Sequence, residues 1–143
     1  MAASKRQMNW SAVGFTPTSG SLTTATGVTQ VSIDAGGDLL KFSGDGDRGP
    51  SLVVCDFNEP MIGVTTADLG WLMALTPGTY GVATATHNDA KLATGGAIVY
   101  TLSPCVVESP SNSGQHRQVG SGTVNFVGYF SDGVTNPLSY TRV

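Results

Sequence analysis

Residues able to carry out acid–base chemistry are scarce in this chain of 143 residues. Its two histidines, His87 and His116, stand in neither a His-x-x-x-His nor a His-x-Glu pattern. A catalytic site needs a nucleophile, a base and an orienting group held close together. His87 is followed by Asn88 and Asp89, but neighbours in sequence rarely meet as base and orienting group. We therefore predict no catalytic residues, and a structural or binding protein rather than an enzyme.

The carboxylates of Asp45 and Asp47 have the spacing that opens a calcium-binding loop. The remaining oxygen ligands and the closing glutamate of such a loop do not follow them. Glycine and aspartate also favour turns, and this preference alone explains residues 44–50. The chain also lacks the glycine-rich phosphate loop that ends in Gly-Lys. We therefore predict no metal site and no cofactor.

The chain contains two cysteines, Cys55 and Cys105, and no Cys-x-x-Cys motif. Two cysteines alone do not make a metal site. The simpler interpretation is that both are small apolar side chains buried in the core. A disulfide that joins them, within one chain or between two copies, is the alternative.

Charge is sparse and slightly negative, with 12% charged residues and a net charge of −3. The seven basic residues are scattered, whereas a nucleic-acid-binding protein normally carries a basic stripe. We therefore expect no specific binding of DNA. No apolar run approaches the roughly 18 residues of a membrane span. Residues 1–9 are polar and basic and lack the apolar segment of a signal peptide, so we expect a flexible N-terminal arm and folding in a cytoplasm.

Short apolar runs separated by Gly-rich polar segments are typical of an all-β protein. We predict one domain over residues 10–143, an antiparallel β-sandwich or split β-barrel with one short flanking α-helix. Residues 52–55 form a near-continuous apolar run, which predicts a strand buried on both faces. Pro104 predicts a bulge or an edge position within its strand. The predicted extended segments are residues 10–18, 22–33, 40–42, 52–55, 78–86, 97–107 and 116–130. In the last of them, Val124, Phe126 and Phe130 line one face. We also predict a turn at residues 34–38, a loop at residues 109–114 and a C-terminal tail from residue 131.

The predicted helix covers residues 65–75. Leu69, Leu72 and Met73 recur at the spacing of one helix face. Thr65 and Asp68 resemble a capping box in which aspartate replaces glutamate. Pro77 and Gly78 follow as a stop signal.

The order of these elements resembles the tail tube proteins of long-tailed bacteriophages, particularly the short ones of about this length. The resemblance covers residues 38–138 and depends on the order and spacing of several stretches rather than on one motif. These stretches are KFSGDGD (41–47), VTTADLGWL (64–72), LTPGT (75–79), YTLSPCVV (100–107), GQH (114–116) and SDGVTNPL (131–138).

The resemblance implies a structural virion protein that is assembled in the host cytoplasm. Such subunits form hexameric rings that stack into a tube, the channel for DNA ejection. The implied partners are further copies of the chain, the tape-measure protein, a sheath protein in contractile tails, and double-stranded DNA that passes without specific binding; no membrane is involved. Loops and termini join the rings, so the candidate contact residues are Lys5, Arg6, Asp45, Asp47, Arg48, Tyr140 and Arg142.

Cys55 and Cys105 are not part of the family pattern. If both lie at subunit contacts, they could cross-link the tube as a disulfide once the host has lysed. This is a hypothesis about the assembled particle.

Three alternatives to a tube protein remain open. The first is a tail terminator, which shares the fold but stops at one ring, or a capsid decoration protein. The second is the secreted tube ring of a contractile injection system. The third is a β-sandwich carbohydrate-binding module, which needs an exposed aromatic platform; Trp10, Tyr80 and Tyr129 are its candidates.

Overall fold

The computed structural model describes residues 10–46, 48–50, 52–57, 59–88, 96–117 and 119–142. Within these ranges the chain forms eleven strands and one short helix, which confirms the prediction of a mainly β, antiparallel fold. In chain order the elements are β1 (Trp10–Pro17), β2 (Thr23–Thr24), β3 (Val28–Asp34), β4 (Asp38–Phe42), β5 (Leu52–Phe57), β6 (Met61–Thr66), α1 (Leu69–Ala74), β7 (Tyr80–Asn88), β8 (Ala97–Val107), β9 (Ser111–Ser113), β10 (Ser121–Gly128) and β11 (Leu138–Arg142).

Strand β8 joins two layers, because its two halves pair with different strands. Residues 98–102 pair with β11, whereas residues 105–107 pair with β10. We call the strands in the order β2-β1-β7-β8-β11 the first layer, and those in the order β3-β6-β10-β9 the second layer. The two layers face each other around one core, which gives the sandwich its inside and outside.

The register of β8 against β7 shifts next to Pro104. Gly81 lies opposite Cys105 and Ala83 lies opposite Leu102, so β8 has one more residue than β7 over this stretch. An extra residue on one strand is a β-bulge, and proline is tolerated there because no ladder donor is required of it. The predicted bulge is therefore confirmed.

Alternation along the strands decides which side chains fill the core. In β10, Gly122, Val124 and Phe126 are buried, whereas Thr123, which lies between Gly122 and Val124, is exposed. Phe126 stacks on Phe15 of β1 with ring centroids 5.2 Å apart, so the two layers meet through aromatic contact. The buried hydrophobic residues are Val13, Phe15, Val31, Ile62, Val64, Trp71, Leu72, Leu75, Ala83, Ala85, Leu102, Cys105, Val107, Val124 and Phe126.

The helix is shorter than predicted, and the residue that caps it differs. It begins at Leu69 rather than near residue 65, because Thr65 and Thr66 still belong to β6 and pair with β10. The helix cap is Asp68, whose Oδ1 accepts a hydrogen bond of 3.1 Å from the backbone N–H of Trp71. This N–H and that of Thr26 hold the pKa of Asp68 below its usual value. The predicted capping box that began at Thr65 is therefore wrong.

Two segments near the end of the chain also differ from prediction. Residues 111–113, expected in a loop, form β9, and β10 begins only at Ser121 rather than near residue 116. Residues 138–142, expected in an irregular tail, form β11 on β8. In both cases a polar segment becomes a strand because a neighbouring strand supplies hydrogen bonds that composition does not reveal.

Gly122 allows the helix to lie close to β10. A Cβ atom at this position would collide with Leu72 of α1 and with the carbonyl oxygen of Ser111 in β9. Leu72 is fully buried, so it has no free space into which to move. The absence of a side chain at Gly122 therefore sets the distance between helix and sheet.

We predict that Gly122→Ala lowers the free energy of unfolding by about 1–3 kcal/mol, the usual cost of overpacking a filled core. Gly70→Ala is the matched control, since Gly70 is exposed in the helix and a Cβ there meets only Asp68 Oδ1 at 3.7 Å. This control should raise stability by up to about 1 kcal/mol, because alanine favours helix over glycine. Urea unfolding of the two variants measures both changes, and equal effects would contradict the packing argument.

Candidate functional site

Strands β4 and β5 form a two-stranded ribbon that stands apart from the main sheet. The ribbon continues the β3–β6 hairpin beyond a turn in which Asp34 Oδ1 accepts a hydrogen bond of 2.9 Å from the N–H of Gly36. Gly36 has a φ of +71° and lies against the backbone of Glu59, so only glycine fits there. The predicted turn at residues 34–38 is thereby confirmed, and it projects the ribbon from the second layer.

The ribbon carries apolar side chains on both faces. Phe42 lies opposite Leu52, so these two side chains share one face of the ribbon. Leu40 lies on that face too, because side chains alternate along a strand and Lys41 lies between Leu40 and Phe42. Leu39 and Val53 lie on the other. Their exposed fractions are 58% for Leu39, 42% for Leu40, 54% for Leu52 and 49% for Val53. The prediction that residues 52–55 are buried on both faces is therefore wrong for Leu52 and Val53 in the single chain, while the side chains of residues 54 and 55 lie outside the described ones. No third strand pairs with the ribbon among the described residues.

Exposure of this ribbon has a free-energy cost. Full burial of a valine or leucine side chain stabilises a protein by about 1.5–3 kcal/mol, so four half-exposed ones forgo roughly 3–6 kcal/mol. An isolated two-stranded hairpin is also only marginally stable in water. The ribbon is therefore a surface that gains most from burial against another protein surface.

The predicted contact residues fall into two separate groups. Asp45 and Arg48 lie between β4 and β5 at the tip of the ribbon, and Arg48 and Lys41 line the same shallow depression. Tyr140 and Arg142 lie on β11 in the first layer, and both are exposed. Lys5, Arg6 and Asp47 lie outside the described residues.

The outer face of the first layer is lined by uncharged side chains. Thr84 lies opposite Thr101, which in turn lies opposite Ser139. One step along the strands, Thr86, Val99 and Thr141 form a second such row. A surface of this kind carries no positive charge that would bind phosphate groups by releasing their counterions. Sequence reasoning missed this face, because the rows exist only once the register is known.

The three aromatic residues suggested for a carbohydrate platform do not form one surface. Tyr80 and Tyr129 meet edge to face with ring centroids 5.7 Å apart. Trp10 instead stacks on His87 at 4.5 Å, at the opposite end of β7 from Tyr80. The stack with Trp10 also accounts for the placement of His87.

A cleft of about 330 Å³ lies between β1, β2 and the helix. Phe15, Trp71 and Leu75 supply most of its apolar wall, and the indole Nε1 of Trp71 donates a hydrogen bond of 3.2 Å to Thr23 Oγ1. None of the described residues that line the cleft is a carboxylate, a histidine or a cysteine. The described lining therefore offers mainly apolar contact.

Asp132 organises the turn before β11. Its carboxylate accepts hydrogen bonds from the hydroxyl of Thr135 at 2.6 Å and from the backbone N–H groups of Thr135 and Val134. These bonds, that of the Thr135 side chain foremost, lower the pKa of Asp132 to about 2. Asp132 is thus a turn-forming residue.

Among the described residues, His, Cys, Asp and Glu form no group of three that could hold a metal ion.

Cys105 is a free thiol in the core, with no exposed surface, and it donates a hydrogen bond of 3.4 Å to the carbonyl oxygen of Gly81. Burial raises the pKa of this thiol to about 12. Cys55 belongs to β5, and its side chain lies outside the described residues. The burial predicted for Cys105 is confirmed. The alternative, a disulfide between Cys55 and Cys105, stays a hypothesis, and it would require the core around Cys105 to open.

We predict that Cys105 makes stability fall as pH rises above 9. The unfolded thiol ionises near 9.0, whereas the folded thiol keeps its proton up to about 12, so the unfolded state loses protons first. The loss approaches about 1.4 kcal/mol per pH unit. Urea unfolding at several pH values should show this slope in Cys55→Ala and a smaller slope in Cys55→Ala/Cys105→Ala; identical slopes would contradict it.

No protein-family model matches the chain, and a search of curated proteins finds no match either. In the described part of the chain, no helix has the length and apolar character needed to cross a membrane.

Proposed function

We propose that the chain is a structural subunit of a phage tail tube, in which hexameric rings stack around the channel for DNA ejection. The observation that carries this proposal is the apolar β4–β5 ribbon, whose leucine and valine side chains are about half exposed on both faces. Such a ribbon suits a subunit that buries it in an assembly rather than a protein that acts alone.

A contact between unlike surfaces of identical copies leads to rings or to filaments. The ribbon is a separate two-stranded element of the fold among the described residues. Docking of the ribbon on a different surface of a neighbouring copy would extend the assembly beyond a dimer, whereas pairing of two ribbons with each other would close it as a dimer. A tube built of stacked rings needs the first kind of contact.

The distribution of charge also supports a channel protein. The net charge is −3, and the outer face of the first layer carries rows of threonine, serine and valine. A wall of this composition lets a DNA duplex pass without the counterion release that would retain it. The tape-measure protein would occupy the same channel before ejection, and a sheath would surround the tube in a contractile tail.

The stretches that resemble tail tube proteins coincide with defined local structures. Residues 41–47 include the end of β4 and the ribbon tip, residues 64–72 lead from β6 into the helix, and residues 131–138 form the Asp132 turn. The resemblance thus falls on segments that shape the ribbon, the helix start and the entry to β11.

Negative-stain electron microscopy of the purified protein, with sedimentation velocity alongside, tests the proposal. Tubes or stacked rings with a central hole are the expected result. Single rings that never stack would favour a tail terminator or a secreted tube ring instead. A stable single copy at high concentration would contradict the proposal.

We predict that Val53→Ser weakens self-association by about tenfold or more and leaves the fold intact, since this side chain is already half exposed in the single copy. The matched control is Val134→Ser, the same chemical change at a residue that is 82% exposed and belongs to the Asp132 turn rather than to the ribbon. Sedimentation velocity over a concentration series measures both, and circular dichroism checks the fold. If the two variants assemble equally well, the ribbon is not the contact.

A further inference from the structure

Strand β11 lies at an edge of the first layer and leaves half of its backbone groups without a strand partner. Its register on β8 is antiparallel, with Leu138 opposite Leu102 and Tyr140 opposite Tyr100. No other described strand pairs with β11.

One hydrogen bond fixes which groups face outward. The N–H of Ser103 donates to the carbonyl oxygen of Pro137 at 2.9 Å, so these two residues form a hydrogen-bonded pair of the ladder. Paired residues alternate between bonded and non-bonded positions along an antiparallel ladder. Ser139 and Thr141 therefore bond to β8, whereas the backbone groups of Tyr140 and Arg142 point away from it.

The first outward N–H of this edge already has a partner, since that of Leu138 donates to Asn136 Oδ1 at 3.0 Å. The outward direction of this N–H agrees with the alternation derived from Ser103 and Pro137. The bond prevents pairing with another strand only at the start of the edge. Beyond it the N–H and carbonyl groups of Tyr140 and the N–H of Arg142 face solvent, next to a tyrosine side chain that is 62% exposed. A short row of open donors and acceptors is a template for pairing with another strand.

We propose that the β11 edge is a lateral interface, at which Tyr140 and Arg142 pair backbone to backbone with a strand edge of a second copy. This inference rests on the proposed function, because a self-assembling subunit supplies the second copy. The chain offers a receiving edge of opposite charge: β3 ends the main sheet at its other side, and its last residue, Asp34, is exposed and acidic, whereas Arg142 is exposed and basic. Pairing of this kind joins the first layer of one copy to the second layer of the next.

The variant Tyr140→Pro tests the interface without disturbing the pairing of β11 with β8. Tyr140→Pro removes an N–H that points away from β8, and proline is tolerated on that side of an edge strand. The matched control, Tyr140→Ala, removes the same aromatic side chain but keeps the N–H. A second control, Thr141→Pro, removes an N–H that bonds to β8 and should therefore lower the melting temperature.

The measurement is sedimentation velocity over a concentration series, with thermal unfolding of each variant. We expect Tyr140→Ala to assemble within about threefold of the wild-type concentration, and Tyr140→Pro to need at least about tenfold more protein. Assembly of Tyr140→Pro at the wild-type concentration would overturn the interface. An equal defect in Tyr140→Ala would also overturn it, since the side chain rather than the backbone would then make the contact.

Hydrogen exchange of the wild-type protein decides the question even if Tyr140→Pro does not fold. The amides of Ser139 and Thr141 should be protected in the single copy, whereas those of Tyr140 and Arg142 should become protected only on assembly. Continued fast exchange of Tyr140 in the assembly would overturn the interface while leaving the proposed function intact. A wild-type protein that never associates would contradict the proposed function, and this interface with it.

Discussion

Burial of inward-facing side chains between two β layers is the constraint on which the rest of the structure depends. The stack of Phe15 on Phe126 joins the layers, and Leu72 of the helix fills the space left open by Gly122. This constraint gives the longer strands an apolar inner face and a more polar outer face, as in β10, where Val124 and Phe126 are buried and Thr123 is exposed. The β4–β5 ribbon is the exception, because it lies beyond the reach of both layers and is apolar on both faces.

The contrast between the ribbon and the outer faces gives the molecule its functional character. Threonine and serine rows on the first layer make a surface with little to bind, whereas the ribbon is a surface that gains free energy from a partner. The apolar ribbon and the uncharged outer face of the first layer are the two surfaces on which the proposed tube subunit depends: the ribbon for contact with other copies, and the outer face for a channel wall.

The sequence predicted those features that follow from local periodicity. The alternation of residues 121–128, the bulge at Pro104 and the turn after Asp34 could all be read from residue types, because each depends on near neighbours. The helix start could not, since Thr65 and Thr66 are held in β6 by pairing with β10. The same limit hid β9 and β11, whose polar residues become strands only through partners distant in sequence.

The apolar run at residues 52–55 shows how a wrong prediction can still carry information. The pattern correctly indicates a strand, and its composition is that of a strand buried on both faces, yet Leu52 and Val53 are about half exposed. Sequence patterns record burial in the complete assembly, whereas one copy contains only the contacts that the chain makes with itself. In the proposed assembly, this mismatch between composition and exposure marks the ribbon as the segment that a second copy would bury. By the same reasoning, the open backbone groups of β11 mark a direction in which the sheet can be continued.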